Sequence, residues 1–494
     1  MLLLGIDIGT SYVKASVVDA NTRQCIISAQ YPEVESKITS LKTGWAEQSP
    51  EMWWDHTVKA IQILHSSKKY DPSEIQAIGI AYQMHGLVVV NNKQEVLRDS
   101  IIWCDSRATG IGDNAFRDIG EEVCHKVLLN SPGNFTASKL AWVKENEPAI
   151  YKDIDKIMLP GDYIAMKLTG QISTTSSALS EGILWDYQND SIAEEVMSFF
   201  GFDQSLIPSI QPLFSKHGEL LSPVARLLSL REKVTITYKA GDQINNALSL
   251  NVMEPGEVAA TAGTSGVIYA LTDQLITDKF SRVNAFVHVN HTRSRKRLGV
   301  LLCINGAGIL NSWVKKLCGE DLSYDSLNKL AGKVSAGSDS LFILPFGNGA
   351  ERMLQNKIVG AQLHNIDLNK HSKGHIVRAA QEGIAFAFRY GLDILKENGI
   401  IPKIIRAGRA NLFLSDVFVE AFVNATGIPV ELYSNDGSAA AALGAGIGAG
   451  IYESLTEAFS GFKPLRKVEP SQSSVYEVLY QDWKKLLDKS LLEH

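Results

Sequence analysis

The sequence of 494 residues has few cysteines, no excess of positive charge and no long apolar run. Its five cysteines are widely spaced and form no C-x-x-C pair, which excludes the common zinc and dithiol redox motifs. We expect most of them to be buried, reduced thiols. Asp, Lys, Arg or Gln interrupts every hydrophobic segment, so none approaches the roughly 20 apolar residues of a membrane span.

The charge balance and the first residues limit the partners and the location of the protein. The chain has 48 Lys and Arg against 54 Asp and Glu, a net charge of −6, and so lacks a broad cationic face for nucleic acid. The apolar run Met1–Gly5 is followed at once by Asp7 and has no signal-peptide pattern. We therefore expect a cytoplasmic protein that binds neither nucleic acid nor a membrane.

The composition is that of an ordinary globular protein, with 45% hydrophobic and 21% charged residues. The length is several times that of a typical domain, which favours two domains, each with its own core. We place the boundary near residue 244, so that the expected domains are 1–244 and 245–494.

Two segments share the pattern of strand, Gly-Thr-Ser turn and strand. They are Leu2–Val18, with Gly9-Thr10-Ser11 at the turn, and Glu257–Leu271, with Gly263-Thr264-Ser265-Gly266 at the turn. Self-similarity over such a long period indicates structural repeats in the two halves. The alternative is two unrelated hairpins whose turns need glycine.

Apolar strands alternate with helices elsewhere in the chain. The pattern predicts helices near Pro50–Ser67 and Lys373–Asn398, and strands at Ala77–Tyr82 and Ile404–Gly408. The Ala- and Gly-rich stretch Gly437–Gly450 is predicted to be a helix packed closely on its neighbours. Together these features predict an α/β fold.

Polar residues follow several of the predicted strands, where ligands gather in open α/β sheets. In the first hairpin, glycine and hydroxyl groups of Gly9-Thr10-Ser11 suit phosphate oxygens, and Asp7 can hold Mg²⁺. Gly263-Thr264-Ser265 would contact the same phosphates from the second domain. A plain hairpin turn would contain the same residues, so this alternative stays open at each turn.

A candidate catalytic carboxylate follows a third strand. Val234–Thr237 leads into Gly241-Asp242-Gln243. Phosphoryl transfer to an alcohol needs a carboxylate that orients the attacking hydroxyl and accepts its proton, so Asp242 is the candidate base. The alternative is that Asp242 is only the N-cap of a helix.

Two further clusters have the composition of a sugar site. Tyr82–Gly86 includes Met84 and His85, and Ile102–Arg107 includes Trp103. Aromatic faces cover the C–H face of a sugar, while polar side chains bond to its hydroxyls. The alternatives are a core histidine, a core tryptophan and a surface Asp–Arg pair.

The turn Gly408-Arg409-Ala410-Asn411 leads from a strand into a helix. Its free backbone N–H groups and Asn411 could contact a nucleotide, and Gly408 would allow close approach. A tight structural turn would look alike.

Six segments resemble, in order and spacing, motifs of the FGGY family of carbohydrate kinases, and most closely its xylulokinase branch. The resemblance covers nearly the whole chain. It implies two actin-like domains of ribonuclease-H topology that flank a central cleft, with the sugar and the base on 1–244 and ATP mainly on 245–494. It also suggests a homodimer. The segments are Gly5–Ser11, Trp45–Gln48, Gln83–Gly86, Leu159–Tyr163, Gly241-Asp242 and Gly263–Gly266.

The resemblance implies a kinase that uses ATP and Mg²⁺, and we expect it to phosphorylate D-xylulose at its C5 hydroxyl. Asp242 matches the general base that contacts the sugar, and Asp7 matches the Asp near the metal and the phosphates. Met84-His85 resembles the sugar-contacting strand end of xylulokinases, where glycerol kinases carry Arg-Glu. This favours a ketopentose substrate.

The sequence differs from the family pattern at three places. Gln243, expected to contact the substrate, stands where many xylulokinases have Asn and glycerol kinases have Gln. Gly408–Asn411 replaces a triple-glycine run, and Gly349–Leu354 replaces a Gly-Glu-Arg-Thr-Pro segment. A kinase for ribulose, fuculose, gluconate or glycerol, or a non-enzymatic actin-like ATPase, therefore remains an alternative.

Overall fold

The computed structural model describes residues 1–493. The strands are β1 (Leu2–Ile8), β2 (Val13–Asp19), β3 (Cys25–Tyr31), β4 (Glu47–Gln48), β5 (Ile75–Tyr82), β6 (Val88–Val90), β7 (Ser100–Ile101), β8 (Lys156–Met158), β9 (Ser173–Thr174), β10 (Trp185–Asp186), β11 (Ser191–Ile192), β12 (Ser209–Ile210), β13 (Gly218–Glu219), β14 (Thr235–Gly241), β15 (Glu257–Ala262), β16 (Gly266–Thr272), β17 (Asn284–Val287), β18 (Leu298–Ile304), β19 (Phe342–Phe346), β20 (Gly360–His364), β21 (Ile404–Gly408), β22 (Val430–Tyr433) and β23 (Arg466–Val468).

The helices alternate with these strands along the chain. They are α1 (Pro50–Ser66), α2 (Thr109–Ile119), α3 (Glu121–Val123), α4 (Thr136–Asn146), α5 (Pro148–Lys152), α6 (Pro160–Thr169), α7 (Ser176–Glu181), α8 (Glu194–Phe200), α9 (Ser222–Leu227), α10 (Asp242–Ser249), α11 (Gly308–Cys318), α12 (Tyr324–Ala331), α13 (Lys373–Glu397), α14 (Asp416–Thr426), α15 (Gly437–Gly448), α16 (Leu455–Ala458) and α17 (Ser473–Glu493).

The chain divides into two compact units. Unit 1 contains Met1–Asn251, Phe286–Arg295 and Asp436–Phe462. Unit 2 contains Val252–Ala285, Lys296–Asn435 and residues 463–493. The sequence predicts a single boundary near residue 244. In the structure, unit 1 also contains two segments that lie beyond this boundary, Phe286–Arg295 and Asp436–Phe462. The roles expected for the two halves stay predictions.

A six-stranded sheet with the order β13-β14-β5-β1-β2-β3 forms the centre of unit 1. β1 and β2 form the predicted antiparallel hairpin, while β1, β5 and β14 run parallel to one another. Helix α15 packs against the sheet so closely that a Cβ on Gly5 would lie 1.7 Å from the carbonyl oxygen of Ser438. The predicted close packing of this Ala- and Gly-rich helix is therefore confirmed.

Unit 2 is built on a seven-stranded sheet with the order β17-β18-β16-β15-β21-β22-β23. β15 and β16 form the second predicted hairpin, and β21 runs parallel to β15. The long helix α13 is buried along most of its length and places Phe388 against Phe418 and Phe422. These rings form an aromatic core beneath the hairpin that carries the Gly-Thr-Ser turn.

Two expectations from the composition meet different outcomes. Within residues 1–493, every helix is too short or too polar to cross a bilayer. The prediction that most cysteines are buried is wrong, because Cys25 and Cys104 are exposed and Cys303 is partly exposed. Cys25 lies on the edge strand β3 and Cys104 lies in a loop, so neither position belongs to a core.

Candidate active site

Three of the predicted functional segments follow neighbouring parallel strands of unit 1. In register, Asp7 of β1 lies beside Ala81 of β5, and Gly241 of β14 lies beside Tyr82. Because the carboxyl ends of parallel strands lie at one edge of a sheet, the loops that begin after these strands share that edge. The structure thereby brings together the first Gly-Thr-Ser turn, the Met84–His85 strand end and Asp242.

Asp7 lies near the end of β1, opposite Lys14 of β2. Lys14 Nζ is 2.8 Å from a carboxylate oxygen of Asp436, the N-cap residue of α15. A Cβ on Gly437 would lie 2.4 Å from Asp7 Oδ2, so only glycine leaves room for this carboxylate. Burial and the charge of Asp436 raise the pKa of Asp7 to about 6, against the opposite effect of Lys14.

Asp242 is the first residue of α10, and Gly241 is the N-cap residue. The alternative that Asp242 serves as the helix N-cap is therefore wrong. Burial, and next the charge of Asp7, raise the pKa of Asp242 to about 7, although hydrogen bonds from Gln243 lower it in part. A carboxylate whose pKa lies near neutrality is suited to accept a proton at the operating pH.

Met84 and His85 follow β5 on the side of Asp242. Met84 is buried, and a Cβ on Gly241 would lie 2.7 Å from its Cγ. His85 has a positive φ of 64°, and its carbonyl oxygen accepts hydrogen bonds from Lys139 Nζ at 2.9 Å and Thr136 Oγ1 at 3.2 Å. The backbone of His85 is thus held in an uncommon conformation by bonds from a neighbouring helix.

Trp103 is 53% exposed, so the alternative of a core tryptophan is wrong. Its indole Nε1–H donates to Thr10 Oγ1 at 2.9 Å, and Thr10 Oγ1 donates to Gln83 Oε1 at 3.1 Å. Gln83 Nε2 in turn donates to Gln48 Oε1 at 3.1 Å. The chain of bonds ties the first Gly-Thr-Ser turn to the predicted sugar residues. It also means that the Thr10 hydroxyl would have to exchange Gln83 for a phosphate oxygen.

The two charged residues that follow Trp103 are buried, so the alternative of a surface pair is also wrong. Arg107 donates from Nε and Nη2 to the carboxylate of Asp105 and from Nη1 to Glu47 Oε1, at 2.6 to 3.0 Å. The guanidinium also lies 3.8 Å above the ring of Trp45. Asp105 Oδ2 accepts from the backbone N–H of Ala46 at 2.6 Å. This cluster supports the loop that carries Trp103.

The sequence patterns do not predict two buried ionisable residues that lie beside His85. One is Lys139 on α4, whose pKa burial lowers to about 7. The other is Glu181 at the end of α7, which is fully buried and accepts from the Tyr82 hydroxyl at 2.8 Å. A charged residue within the small and apolar run Ala178–Leu184 was the only available signal for Glu181.

Unit 2 contains a cavity of about 410 Å³ beside the second Gly-Thr-Ser turn. Of the residues predicted to bind the nucleotide there, Gly263, Thr264 and Asn411 line it, whereas Ser265 and Gly408 are not among its lining residues. The part of the chain that the structure describes contributes only uncharged side chains to this lining. The lining residues are Ala262, Gly263, Thr264, Gly308, Asn311, Ser312, Tyr324, Asn328, Gln381, Asn411, Leu412, Leu414 and Ser415.

The start of α11 fixes the turn at the mouth of this cavity. The backbone N–H of Gly308 donates to Gly263 O at 2.9 Å, and that of Ile309 donates to Thr264 O at 3.0 Å. A Cβ on Gly308 would lie 2.2 Å from Gly263 O, so glycine is needed for this approach. The helix therefore begins directly against the Gly-Thr-Ser turn.

The altered segment Gly349–Leu354 also supports this region. Glu351 is fully buried and accepts the backbone N–H groups of Asn305 and Gly306, both at 3.0 Å. Burial raises the pKa of Glu351 to about 7. The glutamate thus holds the loop that leads from β18 into α11.

Comparison with known protein families gives a match for each half of the chain. Residues 2–249 match the N-terminal domain, and residues 258–452 the C-terminal domain, of the FGGY family of carbohydrate kinases. The chain belongs to the FGGY family of carbohydrate kinases. The family predicted from the sequence motifs is confirmed, and with it an enzyme that transfers a phosphoryl group to an alcohol.

The similarity to individual FGGY kinases extends over nearly the whole chain. The chain is 28% identical over 466 residues to a xylulose kinase of Bacillus subtilis. The aligned region covers 93% of this chain and 91% of the relative. The crystal structure of a xyloylose kinase from Brucella ovis is 26% identical, with a TM-score of 0.88 and 98% coverage of both chains. A gluconate kinase from Lactobacillus acidophilus, 21% identical, reaches a TM-score of 0.89 over 99% of this chain and 98% of its own. The predicted α/β fold with actin-like domains is confirmed, whereas the fold is common to kinases of different sugars.

Proposed function

We propose that this FGGY kinase transfers the γ-phosphoryl group of ATP to the C5 hydroxyl of D-xylulose and forms D-xylulose 5-phosphate. The observation that carries the proposal is the position of Asp242, which follows β14 beside Met84 and has a pKa near 7. The names of the curated relatives as xylulose kinases support the choice of sugar.

The residues around Asp7 fit a magnesium ion. Mg²⁺ is usually held by one or two carboxylates, with water and substrate phosphates as the other ligands. Asp7 and Asp242 are two carboxylates close enough to interact electrostatically, and they match that small number of protein ligands. Asp7, with the nearby charge of Asp242, would hold the ion, which would offset the negative charge of the phosphates.

The cavity of unit 2 fits the nucleoside part of ATP. Its neutral amide and hydroxyl side chains, among them Asn311, Asn328 and Gln381, offer hydrogen bonds without repelling a polyanion. Ser415 Oγ donates to Gln381 Oε1, and Gln381 Nε2 donates to Asn328 Oδ1, each at 2.8 Å. These bonds preorganise the polar lining of the cavity. The turn Gly263-Thr264-Ser265, together with Gly408 and Asn411, would contact the nucleotide.

Asp242 carries the proton transfer in the proposed reaction. Its carboxylate orients the C5 hydroxyl for in-line attack and accepts the hydroxyl proton as the new P–O bond forms. Met84, His85, Trp103 and Gln243 hold the sugar, with the exposed indole against its C–H face. In the first hairpin, Gly9, Thr10 and Ser11 offer backbone and hydroxyl donors to phosphate oxygens.

The proposal is tested by ADP release from purified protein with Mg²⁺, ATP and one of several acceptors. D-xylulose is expected to give the largest stimulation, with D-ribulose, L-ribulose, L-fuculose, D-gluconate and glycerol as the other arms. Stimulation by another acceptor alone would replace the substrate and keep the kinase. Absence of stimulation by every acceptor would reject the proposed reaction. The cytoplasmic location and the homodimer stay predictions.

A pH profile follows from the raised pKa of Asp242. The base acts only when it is ionised, so kcat/KM for the sugar should rise about tenfold per pH unit below about pH 7 and level off above it. Asp186→Asn is the control, because Asp186 bonds within its own turn to Gln188 and Asn189. A flat profile between about pH 5.5 and about pH 8.5 in the wild type would contradict the assignment.

Replacement of Gly308 should weaken nucleotide binding selectively. In Gly308→Ala the new Cβ displaces Gly263 O and with it the Gly-Thr-Ser turn, so the Kd of ADP by calorimetry should rise about tenfold or more. Gly332→Ala is the matched control, because its Cβ would make only ordinary contacts of 3.4 Å and longer. Equal Kd values for the two variants would count against the assignment of the cavity.

A further inference from the structure

A buried glutamate joins the two segments that the proposed reaction requires to be adjacent. Glu181, the last residue of α7, is fully buried and has no contact with solvent. Its Oε1 accepts from the Tyr82 hydroxyl at 2.8 Å, and its Oε2 accepts from the backbone N–H of His85 at 3.3 Å. The backbone carbonyl of the same glutamate bonds to His85 Nδ1 at 2.8 Å. Glu181 therefore holds both the main chain and the ring of His85.

The other side of the carboxyl group faces the turn that carries the base. A Cβ on Gly241 would lie 3.0 Å from Glu181 Oε1 and 3.2 Å from Oε2. The same Cβ would lie 2.7 Å from Met84 Cγ. The carboxyl group and the Met84 side chain thus pack directly against the residue that precedes Asp242, and the distance between the base and the sugar residues depends on both.

The shifted pKa of the Glu181 carboxyl group agrees with its buried position between His85 and Gly241. Burial raises the pKa of Glu181 well above its ordinary value, and the charge of Asp242 raises it further. Burial therefore disfavours a second negative charge behind the base. A buried polar group in this setting must keep its hydrogen bonds, because an unmade bond costs more than a made bond gains.

We propose that Glu181 is a positioning residue for the sugar: its carboxyl group fixes the Met84–His85 strand end against the Gly241–Asp242 turn and so sets the KM for the sugar without contacting it. The inference rests on the proposed function for the identity of the sugar. The contacts of Glu181 do not depend on the proposed function, because they involve only side chains and backbone groups of unit 1.

The test compares Glu181→Ala with the isosteric Glu181→Gln. Alanine removes both acceptors, whereas glutamine can accept from the His85 N–H and donate to the Tyr82 hydroxyl oxygen. Glu181→Ala should raise the KM for D-xylulose about tenfold or more and leave the KM for ATP within about twofold. Glu181→Gln should keep both constants within about threefold of wild type. Asp186→Asn controls for loss of a buried carboxylate elsewhere in unit 1.

A second measurement needs no substrate. Hydrogen exchange of the segment 82–88 should become at least about tenfold faster in Glu181→Ala, because the His85 N–H loses its acceptor, and stay near wild type in Glu181→Gln. If the wild type phosphorylates no acceptor, the proposed function fails, while the exchange rates still decide whether Glu181 holds the strand end. If another acceptor is the substrate, its KM replaces that of D-xylulose.

Three results would overturn the inference. The first is an equal rise in both KM values in Glu181→Ala, and the second is an unchanged sugar KM with unchanged exchange. The third is a Glu181→Gln variant as impaired as Glu181→Ala. If Glu181→Ala does not fold, Tyr82→Phe removes one of the two bonds and should raise the sugar KM about threefold. An unchanged sugar KM in Tyr82→Phe would then count against it.

Discussion

Asp242→Ala and Asp242→Asn should each lower kcat for the sugar by about 10² to 10⁴-fold, the usual contribution of a general base. The loss follows because neither side chain can accept the hydroxyl proton. The Kd of ADP, measured without Mg²⁺, should stay within about twofold, since the cavity of unit 2 does not include Asp242. Initial rates of ADP release with D-xylulose and calorimetry with ADP would measure the two quantities. Full activity in either variant would reject Asp242 as the base.

The stability of the same variants separates catalysis from folding. Because the pKa of Asp242 is raised to about 7 in the folded protein, the acid form is favoured there, and its contribution to stability is lost as the pH rises through about 7. The asparagine side chain of the second variant cannot ionise at any pH. Asp242→Asn should therefore unfold at a higher temperature than wild type at about pH 8, and the difference should shrink at about pH 5. A lower unfolding temperature at both values would show that lost activity reflects lost folding.

Much of the fold can be predicted from the sequence because its signals are local. The two hairpins around Gly9-Thr10-Ser11 and Gly263-Thr264-Ser265 are formed by apolar runs on either side of a turn that needs glycine. The helices predicted at Pro50–Ser67 and Lys373–Asn398 match α1 and α13 to within one residue. In each case, neighbouring residues carry all the information.

The division into units depends on contacts that are distant in the chain. Helix α15 belongs to unit 1, although about two hundred residues separate it from Asn251. Its sequence predicts a helix with close neighbours but does not identify them. Helix α15 packs on β1 and β5 because glycines in these strands leave space for the helix backbone. Only the folded structure reveals this fit.

The candidate site shows the same limit. Asp7, Met84 and Asp242 are identified because each lies near the end of a strand or shortly after it. The parallel order of β14, β5 and β1 brings them to one edge. Glu181 and Lys139 are missed, since they reach the site from helices and act through the backbone of His85. Such supporting residues follow no fixed spacing, so a single sequence carries no pattern for them.

The close approach of α15 to the sheet gives the largest expected effect on stability. A Cβ on Gly79 of β5 would lie 1.9 Å from the carbonyl oxygen of Ala441, which is part of the helix backbone and cannot rotate away. Gly79→Ala must therefore push α15 off the sheet or distort β5, and should lower the free energy of unfolding by about 3 kcal/mol or more. Urea unfolding followed by circular dichroism would measure the change.

Gly110→Ala is the matched control for this replacement. Gly110 lies in the first turn of α2, and a Cβ there would meet nothing within 4 Å. The variant should be neutral or up to about 1 kcal/mol more stable than wild type, because alanine favours the helix and restricts the unfolded chain. Similar losses in both variants would mean that glycine is needed for a reason other than contact. If Gly79→Ala lowers the free energy of unfolding only slightly, α15 can move away from the sheet. The position of Gly437 beside the Asp7 carboxylate would then be adjustable as well.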